Sequence, residues 1–221
     1  MRHFINHTEE NYLKAIFSLT ENTEKGVNTN SIAKSLDTKA SSVTEMMKKL
    51  SEKGLVTYKK YYGVNLTSNG QKIALSTIRK HRLWEVFLVE KLNFNWDEVH
   101  EIAEQLEHIS SPELVNRLDN YLGNPGFDPH GDPIPNKNGE FPKSFSRPLV
   151  KLGINQQGQV VGVSQDTPSF LQYLDKLHIR LGSTIKVIDK VDFDHSLELK
   201  INNKSAHISA AVAKNILIKL K

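Results

Sequence analysis

Six of the chain's eight prolines fall between residues 124 and 148, in the run NPGFDPHGDPIP and the polar tether after it. Proline fixes φ and removes a backbone donor, so neither a continuous helix nor a central strand can cross this segment. The fold has to change character here, and the residue patterns on the two sides differ accordingly. Before it, apolar residues recur at helical spacing; after it, short β-prone runs alternate with turn residues.

The N-terminal part reads as a string of helices. Tyr12, Leu13, Ile16, Phe17 and Leu19 predict a helix over 8–19, followed by a polar loop with Gly26. A short helix from Thr29 turns Ile32, Ala33 and Leu36 inward. Asp37, Thr38 and Lys39 form a turn, and a second helix from Ala40 or Ser41 buries Val43, Met46, Met47 and Leu50 before Gly54 ends it. Helix, short turn and second helix with small polar residues at its start is the helix-turn-helix pattern. LVTYKKYYGVNLT then reads as a β-hairpin with a basic, aromatic tip, which behind a helix-turn-helix is a wing. Thr38, Lys39, Ser41, Ser42, Thr44, Lys48 and Lys49 are candidates to reach bases and phosphates, and Lys59 and Lys60 of the wing to touch the backbone. Three further helices are expected over 68–92, 96–109 and 111–122, the last opened by Ser111 and Pro112 and stopped by Gly123. Their apolar faces exceed what one core needs, which suits a helical dimer interface.

The stretch HEIAEQLEH carries the chemistry. At 100° per residue a helix would put His100, Glu104, Glu107 and His108 within a wedge of about 100°. One helix earlier, His81 and Glu85 stand at the i, i+4 spacing that brings side chains together. Imidazoles and carboxylates are the donor set of a divalent first-row metal. Asp128 and His130, two apart in the proline-rich run, offer two more ligands. Ordinary surface residues of acidic helices would also have this composition, and the proline-rich run would also serve as a linker.

Charge separates the same regions. Residues 28–82 hold eleven Lys/Arg against three Asp/Glu, net +8, while residues 83–133 hold two against eleven, net −9. A basic block before an acidic one suggests a polyanion-binding module joined to a cation-binding one. There is no cysteine, which excludes disulfides, thiolate zinc sites and Cys nucleophiles. No apolar run is long enough to span a bilayer and the N-terminus lacks the apolar core of a signal peptide. No membrane association and a cytoplasmic location are expected. From residue 149 onward, strands are expected over 159–163, 184–191, 197–201, 206–208 and 216–220, with a helix over 168–177, together making a small SH3-like barrel. Asp166, just before that helix, could join a metal site or cap the helix, and local sequence favours the cap.

TEENYLKAIF at Thr8, SSVTEMMKKLSEKGLV at Ser41, LTSNG at Leu66, KHRLWE at Lys80, VHEIAEQLEH at Val99 and DPHGDPIP at Asp128 occur in one order along the chain. In these motifs it resembles the diphtheria toxin repressor and manganese transport regulator family of metal-dependent transcriptional regulators. That resemblance implies a mainly α protein with a small β domain. Its parts would be a winged helix-turn-helix over 1–72, a helical metal-binding and dimerisation domain over 73–140, and an SH3-like, FeoA-type domain over 149–221. It further implies one metal site on Asn11, Glu104, Glu107 and His108, a second on His81, Glu85 and His100, and further ligands at Asp128, His130 and Asp166. Glu104 stands where iron-type members have Cys, which resembles the manganese type and leaves an oxygen-rich set suited to Mn²⁺ or Fe²⁺, with Zn²⁺ binding in vitro. Asn11 replaces the family's Asp or Met and can ligate through its amide oxygen without charge; Glu10 and His7 are close in sequence.

The expectation is a homodimeric, metal-activated repressor that binds a palindromic double-stranded DNA operator and controls metal homeostasis, and is not an enzyme. The alternatives are a winged-helix regulator answering to an organic ligand or protein partner, and a metal-dependent hydrolase. The hydrolase would need an open coordination position and a general base, and neither an HExxH nor a nucleophile motif is present.

Overall fold

A computed structural model describes residues 5–20, 26–59, 62–202 and 204–220. The chain divides into two compact units, Met1–His81 with Gln105–Ser111 and Pro135–Glu140, and Arg82–Glu104 with Pro112–Ile134 and Phe141–Lys221.

The first unit opens with α1 (His7–Thr20), whose start is a reciprocal capping box. Asn6 Oδ1 accepts from the Glu9 amide at 2.9 Å and the Glu9 carboxylate accepts from the Asn6 amide at 3.1 Å. Helices α2 (Thr29–Ser35), capped by the Asn28 side chain, and α3 (Ala40–Glu52) follow with the four residues 36–39 between them. The antiparallel hairpin β1 (Val56–Lys59) and β2 (Gly63–Leu66) is the wing, registered from Val56 opposite Leu66 to Lys59 opposite Gly63. Tyr12, Leu13, Ile16, Ile32, Val43, Met47, Leu50, Val56 and Val64 form its core. Truncating one of the fully buried members, such as Leu13 or Leu50, to Ala would cost about 2 to 5 kcal/mol. Helix α4 (Ser68–Leu92) starts here, with Thr67 Oγ1 accepting from the Gly70 amide at 3.2 Å.

The second unit holds the rest of α4, most of α5 (His100–Leu106) and α6 (Pro112–Tyr121). Leu83, Val86, Leu118 and Ile134 make a small helical core. A larger core lies in the antiparallel sheet of β3 (Arg147–Pro148), β4 (Gln157–Val163), β5 (Thr184–Lys190), β6 (Leu197–Ile201), β7 (Lys204–Ile208) and β8 (Ile216–Leu220), ordered β3-β8-β4-β5-β6-β7. Helices α7 (Pro168–Lys176) and α8 (Ala210–Lys214) pack on it, bringing Leu171, Leu174 and Ala213 into that core. The proline-rich segment carries neither helix nor central strand, and one of its bonds ties it to the sheet: the Val163 amide donates to the His130 carbonyl at 2.8 Å. Gly131 makes the approach possible. It sits at φ +87°, and a Cβ there would stand 2.2 Å from both the Val161 carbonyl oxygen and the Gly162 Cα.

Two expectations are corrected. The helix expected over 96–109 is only α5, His100–Leu106. Trp96 is drawn out of it into the sheet core, where its indole N–H donates to Asp175 at 3.1 Å, so residues 95–98 form a turn closed by Asn95 and Glu98. At the other end Glu107 and His108 lie beyond the last helical residue, so the four candidates do not share one helical face. The cap of α7 is not Asp166 either: Thr167 occupies the N-cap position, without a side-chain hydrogen bond among the described residues, and Asp166 is exposed before it.

Candidate metal centre and nucleic-acid face

In the second unit, α4 contributes Glu85, α5 contributes His100 and Glu104, and the Gly131 loop contributes Asp128, His130 and Asp132. Glu85, Asp128 and His130 are almost fully buried, and one ligand atom from each lies within 4.8 Å of the others. The tautomer of His130 follows from its neighbours. Its Nε2 is 2.7 Å from the Trp96 carbonyl, which can only accept, so Nε2 carries the proton and Nδ1 faces Glu85 Oε2 at 3.8 Å. A ligand histidine is oriented in this way, with one nitrogen tied to a carbonyl and the other presented to the ion. Asp128 is held from behind: its Oδ1 accepts the amides of His130 at 2.8 Å and Asp132 at 2.9 Å, and its Oδ2 lies 3.6 Å from Arg82 Nε. His100 bridges outward, with Nδ1 3.7 Å from Glu85 and Nε2 3.7 Å from Glu104.

Burial and crowded carboxylates make the groups of this cluster retain their protons. Burial and the charges of Glu85 and Asp132 push Asp128 up to about 7, against His130 and Arg82. Burial would lower His130, but the carboxylates of Glu85 and Asp128 and the Trp96 carbonyl raise it to about 9. Burial likewise lifts Asp132, helped by the charges of Asp166 and Glu85 and opposed by Arg82 and His130. Asp166 therefore acts on this cluster through its charge. Protons hold the buried carboxylates and imidazole together, and a divalent ion would do so in their place.

The first unit gathers the other candidates. Glu107 is fully buried and takes Lys14 Nζ on both oxygens, at 2.7 and 2.8 Å, with His81 Nδ1 on Oε2 at 2.6 Å. Burial would raise its carboxyl, but the His81 hydrogen bond and the Lys14 charge hold it below the usual range. His108 donates from Nδ1 to Glu10 at 2.6 Å and directs Nε2 at Glu107 Oε1, 3.9 Å away, while His7 stacks on its ring at 4.4 Å. Glu10 also meets Lys80 at 3.2 Å. Asn11, beside Glu10 on α1, has its Oδ1 buried with no hydrogen-bond partner among the described residues. Sequence reasoning missed Lys14, Lys80 and Asp132. Lys14 was within reach of it, since it lies three and four residues beyond Asn11 and Glu10 on one helical face.

On α3 and the turn before it Thr38, Lys39, Ser41, Ser42 and Lys48 are exposed, as is Lys59 on β1. Thr44 is half-buried and bonds back to the Ala40 carbonyl at 2.9 Å, and Lys49 lies 3.1 Å from the buried Glu9. Lys53 Nζ also meets Glu9, at 2.7 Å, so this carboxylate ties α3 to α1. Burial would raise Glu9, but the two lysines and the Asn6 amide lower it. Lys60 lies outside the described residues.

Three family models cover most of the chain: the iron-dependent repressor N-terminal DNA-binding domain over 5–64, the iron-dependent repressor metal-binding and dimerisation domain over 67–136, and the FeoA domain over 147–220. A solved manganese-dependent transcriptional repressor in complex with manganese superposes with a TM-score of 0.83 at 35% identity, covering 96% of this chain and 100% of that one. The chain belongs to the iron-dependent repressor family. Within that family it is 34% identical over 150 residues to the iron-dependent repressor IdeR of Mycobacterium tuberculosis, an alignment that covers 68% of this chain and 60% of that protein. The chain thus spans about 60% of the length of such curated relatives. With the diphtheria toxin repressor of Corynebacterium diphtheriae it shares 28% identity over 227 residues, 96% of each chain. No helix among the described residues is long and apolar enough to cross a membrane.

Proposed function

We propose that this member of the family is a metal-activated, dimeric transcriptional repressor of metal homeostasis, with Mn²⁺ or Fe²⁺ as the activating ion and no enzymatic activity. The observation that carries the reading is the His130 arrangement, a buried imidazole tied by Nε2 to a backbone carbonyl and turned by Nδ1 toward Glu85. Glu85, Asp128 and His130 would hold the ion, with Asp132 and Asp166 adding negative charge and His100 and Glu104 at the outer edge. An all-oxygen-and-imidazole set suits Mn²⁺ and Fe²⁺. When bound, the ion would supply positive charge to these buried carboxylates in place of the protons on His130 and Asp128. Asp128, braced by two amides, and His130, braced by Trp96, keep their donor atoms aimed while Glu85 on α4 closes the set.

On the DNA side, the first turn of α3 presents free amides and the hydroxyls of Ser41 and Ser42, a suitable seat for a phosphate. Thr38, Lys39, Thr44, Lys48 and Lys49 would read or flank the major groove, and Lys59 and Lys60 of the wing would touch the backbone. Two such heads on a two-fold dimer read a palindrome whose half-sites lie about one helical turn apart. The proposed division is a winged helix-turn-helix over 1–72, a metal-binding and dimerisation domain over 73–140 and the FeoA-type domain over 149–221.

Electrophoretic mobility shift with the full chain, on promoter fragments of metal-uptake genes, tests this. Mn²⁺ or Fe²⁺ should tighten DNA binding by about 5 to 150-fold over a chelated control, a coupling of about 1 to 3 kcal/mol. Equal affinity with metal and with chelator refutes the reading and favours a regulator answering to an organic ligand or protein partner.

A further inference from the structure

Helix α1 meets α3 through one carboxylate. Glu9, fully buried, accepts Lys53 Nζ on both oxygens, at 2.7 and 2.9 Å, Lys49 Nζ on Oε1 at 3.1 Å and the Asn6 amide on Oε2 at 3.1 Å. One lysine already balances its charge, so the second is surplus to neutrality. Lys53 keeps 19% of its side chain exposed and Lys49 48%, so the first is the anchor and the second reaches in from the surface. At 100° per residue Ser42, Lys49 and Lys53 fall within about 40° of one another around α3. Lys49 thus continues, two turns on, the stripe that Ser42 opens, yet its ammonium is turned to Glu9. Lys39 and Lys48, also exposed, make no ion pair among the described residues. Which partner keeps Lys49 follows from screening. Water and salt weaken the pull of a phosphate on an exposed ammonium, whereas a carboxylate removed from water, at 3.1 Å, is screened much less.

We infer that Glu9 is a positioning residue for DNA binding, one that holds Lys49 off the phosphate backbone. The inference rests on the proposed reading of α3 as the DNA-contacting helix and refines the place of Lys49 within it: Lys49 flanks the groove without neutralising a phosphate. Phosphate contacts carry no sequence information, so a lysine withheld from them lowers the grip on every duplex and leaves a larger share of the binding to the first turn of α3.

Fluorescence anisotropy of the full chain in Mn²⁺ with a labelled duplex of random sequence, across a salt series, tests this. Glu9→Gln keeps a side chain able to close the capping box on Asn6 but removes the charge that holds Lys49. It should steepen the slope of log affinity against log salt by about one and tighten binding about fivefold to tenfold near 0.1 M salt. Lost stability alone would weaken binding and would add no ion to the slope. Lys49→Ala in the unmodified protein should leave the slope unchanged, and in the Glu9→Gln background should cancel the added one. A Glu9→Gln slope equal to that of the unmodified protein, or a single Lys49→Ala that flattens it by about one, overturns the inference. If Glu9→Gln fails to fold, the single Lys49→Ala decides, since Lys53 keeps Glu9 paired in it. Lys48→Ala separates the inference from the reading beneath it. A slope that Lys48→Ala leaves untouched overturns the reading of α3 and the inference with it, whereas a slope lowered by Lys48→Ala and Lys49→Ala alike overturns the inference alone.

Discussion

At the proposed site of Glu85, Asp128 and His130 metal binding would be a proton exchange, and its pH dependence can be worked out from the two raised groups. Only the deprotonated forms of His130 and Asp128 can ligate, and in the metal-free protein these groups release their protons near 9 and near 7. At pH 7 almost every His130 and half of the Asp128 carboxyls hold a proton, so binding should release about 1.5 protons per ion. The apparent affinity should rise about fiftyfold from pH 6 to pH 7 and about fifteenfold from pH 7 to pH 8, each pH unit being worth tenfold per proton displaced. Asp128 and His130 each act on the other's proton, so the steps belong to the site as a whole. Both groups are raised relative to the unfolded chain, so their contribution to metal-free stability is present at low pH and lost as pH climbs through 7 and 9. Mn²⁺ titration calorimetry at pH 6, 7 and 8, in pairs of buffers with different ionisation enthalpies, measures both affinity and proton release. An affinity that is flat across this range, or a heat independent of buffer, would refute the reasoning.

Gly131→Ala should lower metal affinity by well over tenfold, because a Cβ at φ +87° strikes the β4 backbone and moves the adjacent His130; Gly123→Ala, with nothing within 4 Å of its Cβ, should bind metal normally. Mn²⁺ titration of the two purified variants makes the comparison. Lys48→Ala and Lys59→Ala, both at exposed positions, should each reduce the slope of log affinity for DNA against log salt by about one and leave Mn²⁺ affinity unchanged. Fluorescence anisotropy across a salt series reads that slope.

The elements whose ends are set by local chemistry were readable in the chain. The span of α4, the hairpin behind α3 and most of the C-terminal strands follow from apolar period and turn residues. Where side chains are claimed by partners distant in sequence, the reading went astray. Trp96 has the look of a helix residue until the sheet core takes its ring, and α5 starts four residues later as a result. The acidic and imidazole residues were visible as a ligand set. The resemblance had already parted them between two sites; the joining of Glu85 to Asp128 and His130 was not visible, since it depends on chain closure bringing α4 to the proline-rich loop. The Trp96 carbonyl that orients His130 could not be read from spacing, whereas Lys14 on Glu107 could have been and was passed over, because a search for ligands skips cations.

The amide of Val163 gripping the carbonyl of His130 means that the strand domain is part of the jig that holds the proposed site. Cutting the chain ahead of β4 would leave every proposed ligand but Asp166 in the sequence, yet free the histidine's backbone from the edge that registers it. Such a shortened protein would need some other brace for that loop, and the modularity suggested by three separable sequence families ends where this hydrogen bond and the docking of Trp96 in the sheet core join the parts.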